Sequence, residues 1–316
     1  MSAPYSKALD LAKELVGHQT LSTHTLYMVA SPIGNLADIS IRALFVLQMV
    51  DFVACEDTRH TQSLCRSYGL EIPNHQWIAL HQHNELEGAQ KVTHALQSGA
   101  KVAYLSDAGT PGVSDPGSRL VSACIDQGLR VVPIPGPSSV TALLSASGAH
   151  DSDDQSFIFI GFLSSKATLR SQQIQSIALE SRAQVILEAP HRILELAKAL
   201  AVLDDRTLSV GRELTKQFER IQRIKARELL AWLEEDAHRQ KGEFSILIHP
   251  LKASDAVEQE DFKVLGLLLE HLPLKTAVSL TTSITGQAKK VIYAEALRIK
   301  SKVQRDSSFE DEQDGH

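Results

Sequence analysis

Val102-Ala103-Tyr104-Leu105-Ser106-Asp107-Ala108-Gly109-Thr110-Pro111-Gly112 is the stretch that decides the fold class. Four apolar residues of β-forming type run straight into a stiff loop of glycine and proline. The pattern returns at Val131-Val132-Pro133-Ile134-Pro135-Gly136-Pro137-Ser138-Ser139. Five of the chain's eleven prolines, Pro111, Pro116, Pro133, Pro135 and Pro137, fall in this region. Rigid loops directly after buried strands are where an open α/β sheet builds a ligand crevice. The expectation is a bound molecule, held in good part by loop backbone.

Outward from these loops, strand and helix patterns alternate. Strands are expected at Leu26–Ala30, Phe52–Cys55, Trp77–Leu80, Val102–Leu105 and Val131–Ile134, with helices at Ile41–Met49, Thr61–Tyr68, Glu85–Gln97 and Ser118–Gln127. Such alternation implies parallel βαβ units. After a polar break at His150–Asp154, strands are expected at Phe157–Ile160, Gln184–Leu187, Leu208–Val210 and Phe244–Ile248. Helices are expected at Ala167–Leu179, Ile193–Leu203 and Leu229–Ala237, in a second α/β domain with some antiparallel pairing. Residues 251–260 read as a second linker. Residues 262–303 carry only helical patterns, broken at Pro273 and Gly286, as in a helix-turn-helix-like module.

The 316 residues are 43% hydrophobic and 22% charged, ordinary for a globular protein. No apolar run approaches membrane-spanning length. The first 22 residues read as an amphipathic helix through Leu9, Leu11, Ala12, Leu15 and Val16, not as a signal peptide. Three widely spaced cysteines, Cys55, Cys65 and Cys124, suit reduced structural thiols in a cytoplasm better than a disulfide framework or a zinc site. The net charge of −6 excludes a nucleic-acid glove as a whole. Locally, however, eight basic residues against Glu270 and Glu295 lie between Lys263 and Arg305, before an acidic tail. This segment is either a polyanion contact or a solvated helix face.

Four groups of loops hold the unusual residues. Ser31-Pro32-Ile33-Gly34-Asn35-Leu36 follows the first strand and leads to a helix that Asp38 or Ser40 would cap. Cys55-Glu56-Asp57-Thr58-Arg59-His60-Thr61 packs acid and guanidinium groups behind a buried strand. It is either a substrate site or a capping Asp57 with Arg59 as its ion-pair partner. In the third group Gly109 and Gly112 permit close backbone approach. Asp107 could accept from ligand hydroxyl or amino groups or cap a turn, and Ser138 and Ser139 could cap the next helix. Neither G-x-G-x-x-G nor G-x-x-x-x-G-K-[ST] is present, so neither the dinucleotide fingerprint nor the P-loop applies. The fourth group is Glu188-Ala189-Pro190-His191-Arg192, Gly211-Arg212-Glu213-Leu214-Thr215-Lys216 and Lys241-Gly242-Glu243-Phe244. Its basic residues suit either a phosphodiester backbone or a solvated ion network. His81 and His83 share a strand face but have no third ligand at matching spacing, and Trp77 and Trp232 read as core.

Taken together, these loops resemble a known family. Tyr27–Leu36, Glu56–Arg59, His83–Glu85, Ser106–Pro111, Asp115–Gly117, Pro135–Ser138, Gly161–Leu163, Arg212–Lys216 and Lys241–Phe244 are similar, in order, to the bacterial 16S ribosomal RNA cytidine 2′-O-ribose methyltransferases of the tetrapyrrole-methylase-like superfamily. The likeness covers about residues 25–300, and Ser164, Leu187 and Ala189 depart from the family pattern. It implies a two-domain α/β fold with a parallel-rich N-terminal sheet, a mixed C-terminal sheet and a small C-terminal helical module. The expected parts are an N-terminal extension (1–24), two methylase subdomains (25–150 and 155–250), the helical module (261–303) and an acidic tail (304–316).

The resemblance further implies S-adenosylmethionine in the cleft, a homodimer, and a cytidine of the decoding region of the small ribosomal subunit as substrate. Pro32, Gly34, Ser106, Asp107, Ala108, Gly109, Thr110, Pro111, Pro135, Gly136, Pro137, Ser138 and Glu188 are the expected cofactor contacts. Glu56, Asp57, Arg59 and Lys216 are the expected catalytic groups, with Glu56 or Asp57 as base. His191, Arg192, Arg212, Lys275, Lys289 and Lys290 are expected to meet RNA. No metal is expected. The competing readings are C-methylation of a tetrapyrrole ring, against which the basic helical module speaks, and a non-catalytic ribosome-binding or assembly factor.

Overall fold

A computed structural model describes residues 5–81, 84–149, 156–251, 262, 264–287, 289–290, 292–297 and 299. His83, the 150–154 linker, nearly all of the 251–260 linker and the acidic tail lie outside the described residues.

The amphipathic opening segment forms α1 (Ser6–Val16). The alternating first half then forms β1 (Thr25–Val29), α2 (Ile41–Met49), β2 (Phe52–Cys55), α3 (Thr58–Ser67), β3 (Trp77–Ala79), α4 (Glu85–Gln97), β4 (Lys101–Leu105), α5 (Gly117–Asp126), β5 (Arg130–Ile134) and α6 (Ser139–Ser147). Its five strands make one sheet in the order β3-β2-β4-β1-β5, and every pairing in it is parallel. Strand β1 is buried along its whole length. Tyr27 and Val29 pack among Ala43–Leu47 of α2, whereas Leu26 and Met28 pack among Val92, Leu96, Leu120 and Cys124 of α4 and α5. Strand side chains alternate with period two, so a strand covered on both faces must be apolar throughout. That is why the first half is so legible.

The second half forms β6 (Phe157–Phe162), α7 (Ala167–Leu179), β7 (Ala183–Glu188), α8 (Ile193–Leu200), β8 (Thr207–Arg212), β9 (Arg220–Lys225), α9 (Leu229–Glu234), β10 (Phe244–Ile248) and α10 (Leu274–Thr285). The second sheet runs β6-β7-β10-β8-β9, with β8 antiparallel to both β10 and β9. By internal contacts the chain divides into two compact units: Met1–Asp153 with Phe159–Ser164 and Val185–Ile248, and Asp154–Ile158 with Ser165–Gln184 and His249–His316. The first contains the parallel sheet and β8 to β10. In the second, Leu265, Ala277, Val278, Ile292 and Ala296 form a separate apolar cluster around α10. Pro273 stands at the N-cap of α10, and Gly286 ends the helix in the left-handed conformation, φ +74°.

Some local expectations are narrowed and others corrected. Ser40, not Asp38, caps α2, its Oγ accepting from Ala43 N at 3.0 Å. Helix α3 starts at Thr58, three residues early, because Asp57 caps it. Ser138 precedes α6 but makes no side-chain cap bond. Strand β9 was not anticipated. Arg220-Ile221-Gln222-Arg223-Ile224-Lys225 is an edge strand, and edges are kept polar, so the apolar signal is missing. Trp77 is half-buried on edge strand β3, whereas Trp232 is core.

Candidate active site

The loops leaving the carboxyl ends of β1, β2, β4 and β5 meet in the first unit. Ser31 and Gly109 exchange backbone bonds, Ser31 N to Gly109 O at 3.0 Å and Gly109 N to Ser31 O at 3.1 Å. Ser31 Oγ donates to Ser106 O at 3.1 Å, and Thr110 Oγ1 donates to Pro137 O at 3.0 Å. The loops are therefore clamped to one another. Gly109 has φ +84°, and a Cβ there would stand 3.3 Å from Ile33 Cγ2. The left-handed backbone favours glycine there, and a side chain would also press on Ile33.

Between these loops and the second sheet lies a cavity of about 370 Å³. Ser106–Thr110 and Val113–Asp115 form one wall, and Ser138–Val140 brings in the start of α6. Leu187–Pro190, Phe162, Leu214 and Glu243–Ser245 form the other wall, and Glu56 also lines the cavity. Asp115 fixes the shape of the first wall. Its carboxylate accepts from Gly112 N (2.8 Å), Val113 N (3.2 Å), Gly117 N (2.7 Å) and the buried Tyr104 hydroxyl (3.2 Å).

The two adjacent acids after β2 part company. Glu56 faces the cavity and accepts from Asp107 N at 3.2 Å. Partial burial raises its pKa, and the nearby Asp107 and Asp115 carboxylates push the same way against that hydrogen bond. Asp57 instead caps α3, accepting from Arg59 N at 2.8 Å and His60 N at 3.3 Å, and these bonds lower its pKa. Arg59 is exposed and lies 3.6 Å from the Asp57 carboxylate. Neither Asp57 nor Arg59 lines the cavity. Lys216 donates to Glu213 Oε1 at 2.8 Å and to Glu243 Oε2 at 3.1 Å. Partial burial disfavours its charge, but the two carboxylates outweigh that and raise its pKa. Its methylenes pack against Gly34.

Of the expected cofactor contacts, Ser106 to Thr110, Ser138 and Glu188 line the cavity. Pro32, Gly34, Pro111, Pro135, Gly136 and Pro137 do not line it, although Pro137 O accepts from Thr110 Oγ1. The Glu188 side chain is almost wholly buried, its Oε1 accepting from Ala189 N at 2.9 Å and its Oε2 having no hydrogen-bond partner. Of the expected RNA contacts, two are occupied elsewhere. Arg192 donates to Leu163 O at 2.6 Å and approaches Glu188 at 3.2 Å. Arg212 donates to Lys241 O at 3.0 Å and to Phe218 O at 3.3 Å. His191 is exposed, as are Lys275, Lys289 and Lys290 in the second unit. Among the described residues no cluster of side chains could hold a metal.

Sequence reasoning gave no role to Val113, Ser114, Phe162 or Ser245 of the lining. Asp115 was visible only as part of a motif; its spacing before Pro116-Gly117, an Asx-type turn signal, was the available clue.

The cavity fits S-adenosylmethionine. Its size is that of a small-molecule site. It offers a buried unpaired acceptor at Glu188 Oε2, glycine-lined backbone, and the first amides of α6. Residues 25–230 match the family of tetrapyrrole (corrin/porphyrin) methylases, and residues 255–300 match the RsmI C-terminal HTH domain. Among solved structures, cobalt precorrin-4 methyltransferase CbiF superimposes with a TM-score of 0.54 at 17% identity, over 72% of this chain and 95% of that one. Uroporphyrin-III C-methyltransferase from Thermus thermophilus gives 0.51 at 16% identity, over 72% and 94%. Fold and cavity thus define an S-adenosylmethionine-dependent methyltransferase with the tetrapyrrole-methylase fold. Ribosomal RNA small subunit methyltransferase I of Pseudomonas aeruginosa is 44% identical over 287 residues, 89% of this chain and 100% of that protein. The Vibrio cholerae protein of the same name is also 44% identical, over 85% of this chain and 92% of that protein. The chain belongs to the ribosomal RNA small subunit methyltransferase I family.

Proposed function

We propose that this chain transfers a methyl group from S-adenosylmethionine to the 2′-hydroxyl of a cytidine in the decoding region of 16S ribosomal RNA. Methylation of small-subunit ribosomal RNA follows from family membership. The ribose hydroxyl and the cytidine are the finer part of the proposal, supported by the resemblance of the nine ordered motifs. The likeness to tetrapyrrole methylases, at 16–17% identity, concerns the fold alone. A homodimer is proposed on the same resemblance. A cytoplasmic location is supported by three buried cysteines, all free.

When bound, S-adenosylmethionine supplies a methyl group already activated by its sulfonium charge. The protein therefore has to position and to accept a proton. Ser106–Thr110, Ser138 and Glu188 would hold the donor. Glu56 takes the proton that the hydroxyl sheds. The observation that carries this role is that Glu56 lines the cavity with a raised pKa while Asp57 caps a helix with a lowered one. A raised pKa makes Glu56 the stronger base of the pair. Lys216, neutralised by Glu213 and Glu243, serves to fix the cavity wall at Glu243 and the loop at Gly34.

The test is Glu56→Gln, which can still accept from Asp107 N. Its turnover should fall by about 10²–10⁴-fold, the range for losing a general base, with S-adenosylmethionine binding retained. The wild-type rate should fall at acid pH, with a midpoint above that of an ordinary glutamate, because Glu56 must be ionised to act. Wild-type turnover in Glu56→Gln would remove Glu56 from this role.

A further inference from the structure

Phe162 is 52% exposed at the end of β6, yet it lines the cavity. The exposed aromatic side chains among the described residues are Phe157, Phe162, Phe218 and Tyr293, and Phe162 alone of these lines the cavity. The other aromatic on the wall, Phe244, is 2% exposed and has no free face to offer. Leaving a large apolar ring half in water forgoes the burial energy that orders most phenylalanines.

The backbone around it is fixed. Gly161 and Leu163, on either side, are buried. Gly161 has φ +76°, a conformation that favours glycine, and a Cβ there would stand 3.2 Å from Ser114 Oγ of the opposite wall. The carbonyl of Leu163 accepts from Arg192 Nη2 at 2.6 Å, and Arg192 is in turn within ion-pair distance of buried Glu188. The fold thus holds Phe162 at the cavity without burying it.

A 2′-oxygen and its base hang from adjacent ribose carbons. A hydroxyl that reacts inside the cavity therefore brings its base to the edge of the cavity. Proteins that read unpaired RNA stack splayed bases on aromatic rings, and a nucleotide presented for chemistry has left its own stack. We infer that Phe162 is the stacking platform for the base of the nucleotide being methylated, an inference that rests on the ribose-methylation reading above. Phe162 positions that nucleotide and takes no part in proton transfer.

The test uses the full chain with small ribosomal subunits that lack the modification, comparing wild type, Phe162→Leu and Phe162→Tyr. Leucine keeps the apolar bulk but has no π-face. Phe162→Leu should raise KM for subunits by roughly tenfold or more, the loss expected for one base stack. S-adenosylmethionine affinity, measured by calorimetry, should stay at the wild-type value, and Phe162→Tyr should restore KM. Wild-type KM in Phe162→Leu overturns the inference. So does a parallel loss of S-adenosylmethionine affinity, which would place the ring against the donor. A wild-type protein that leaves every ribose unmethylated overturns the underlying reading, and the inference falls with it.

Discussion

Gly242→Ala probes how the cavity wall is held. Gly242 has φ +89°, and a Cβ added there would stand 2.5 Å from both Cδ and Oε1 of Glu213. The Glu213 carboxylate accepts from Glu243 N at 3.0 Å and from Lys216 Nζ at 2.8 Å, so the new methyl must expel the group that ties this loop together. Placing a side chain in the left-handed region costs about 1–2 kcal/mol. Losing a charge-assisted amide bond costs about 1.5 kcal/mol. The partly exposed Lys216 pair adds about 0.5 kcal/mol once solvent screening is counted. The sum is about 3–4 kcal/mol, a fall in Tm of roughly 6–16 °C for a unit of this size. Glu243, Phe244 and Ser245 line the cavity, so affinity for S-adenosylmethionine should weaken as well. Thermal unfolding of the single variants and of the Glu213→Ala/Gly242→Ala pair decides the matter. Once Glu213 is truncated the clash is gone, and Gly242→Ala should cost only the conformational strain of about 1–2 kcal/mol. An equal cost in both backgrounds would refute the clash as the cause.

Asp115→Ala removes the acceptor for three backbone amides and the Tyr104 hydroxyl. It should cost about 2–4 kcal/mol in urea unfolding and weaken S-adenosylmethionine binding in calorimetry. Asp57→Ala should lower the urea midpoint slightly through the lost N-cap of α3, with turnover largely kept, in contrast to Glu56→Gln. Burial pushes the thiols of Cys55 and Cys65 up to about 12 and that of Cys124 up to about 11. A thiol-labelling reagent at about pH 8 should therefore leave the native protein unmodified and label all three cysteines after denaturation, since the thiolate is the reactive form.

Glu56 and Asp57 show where reading a chain in one dimension stops. Neighbours in sequence, they are equally acidic, and either could be a base or a cap. The loop carrying Asp107 comes from another strand, with Asp107 lying 51 positions from Glu56, and it gives Glu56 its backbone donor and one of the carboxylates that push its pKa up. Arg192 and Arg212 make the same point. A guanidinium donates to a phosphate or to a carbonyl with equal ease. Only the folded chain reveals that Leu163 O, Lys241 O and Phe218 O already occupy these two.

The strands of the parallel sheet, the loops behind them and the family were determined by the sequence itself. Doubly covered strands must be apolar, and glycine and proline mark stiff turns wherever they stand, so both signals are local. The polar edge strand β9, the choice of Glu56 over Asp57, and the half-exposed ring of Phe162 on the cavity wall were decided by the tertiary structure. Each depends on burial and on partners distant in sequence, which come together only when the chain folds.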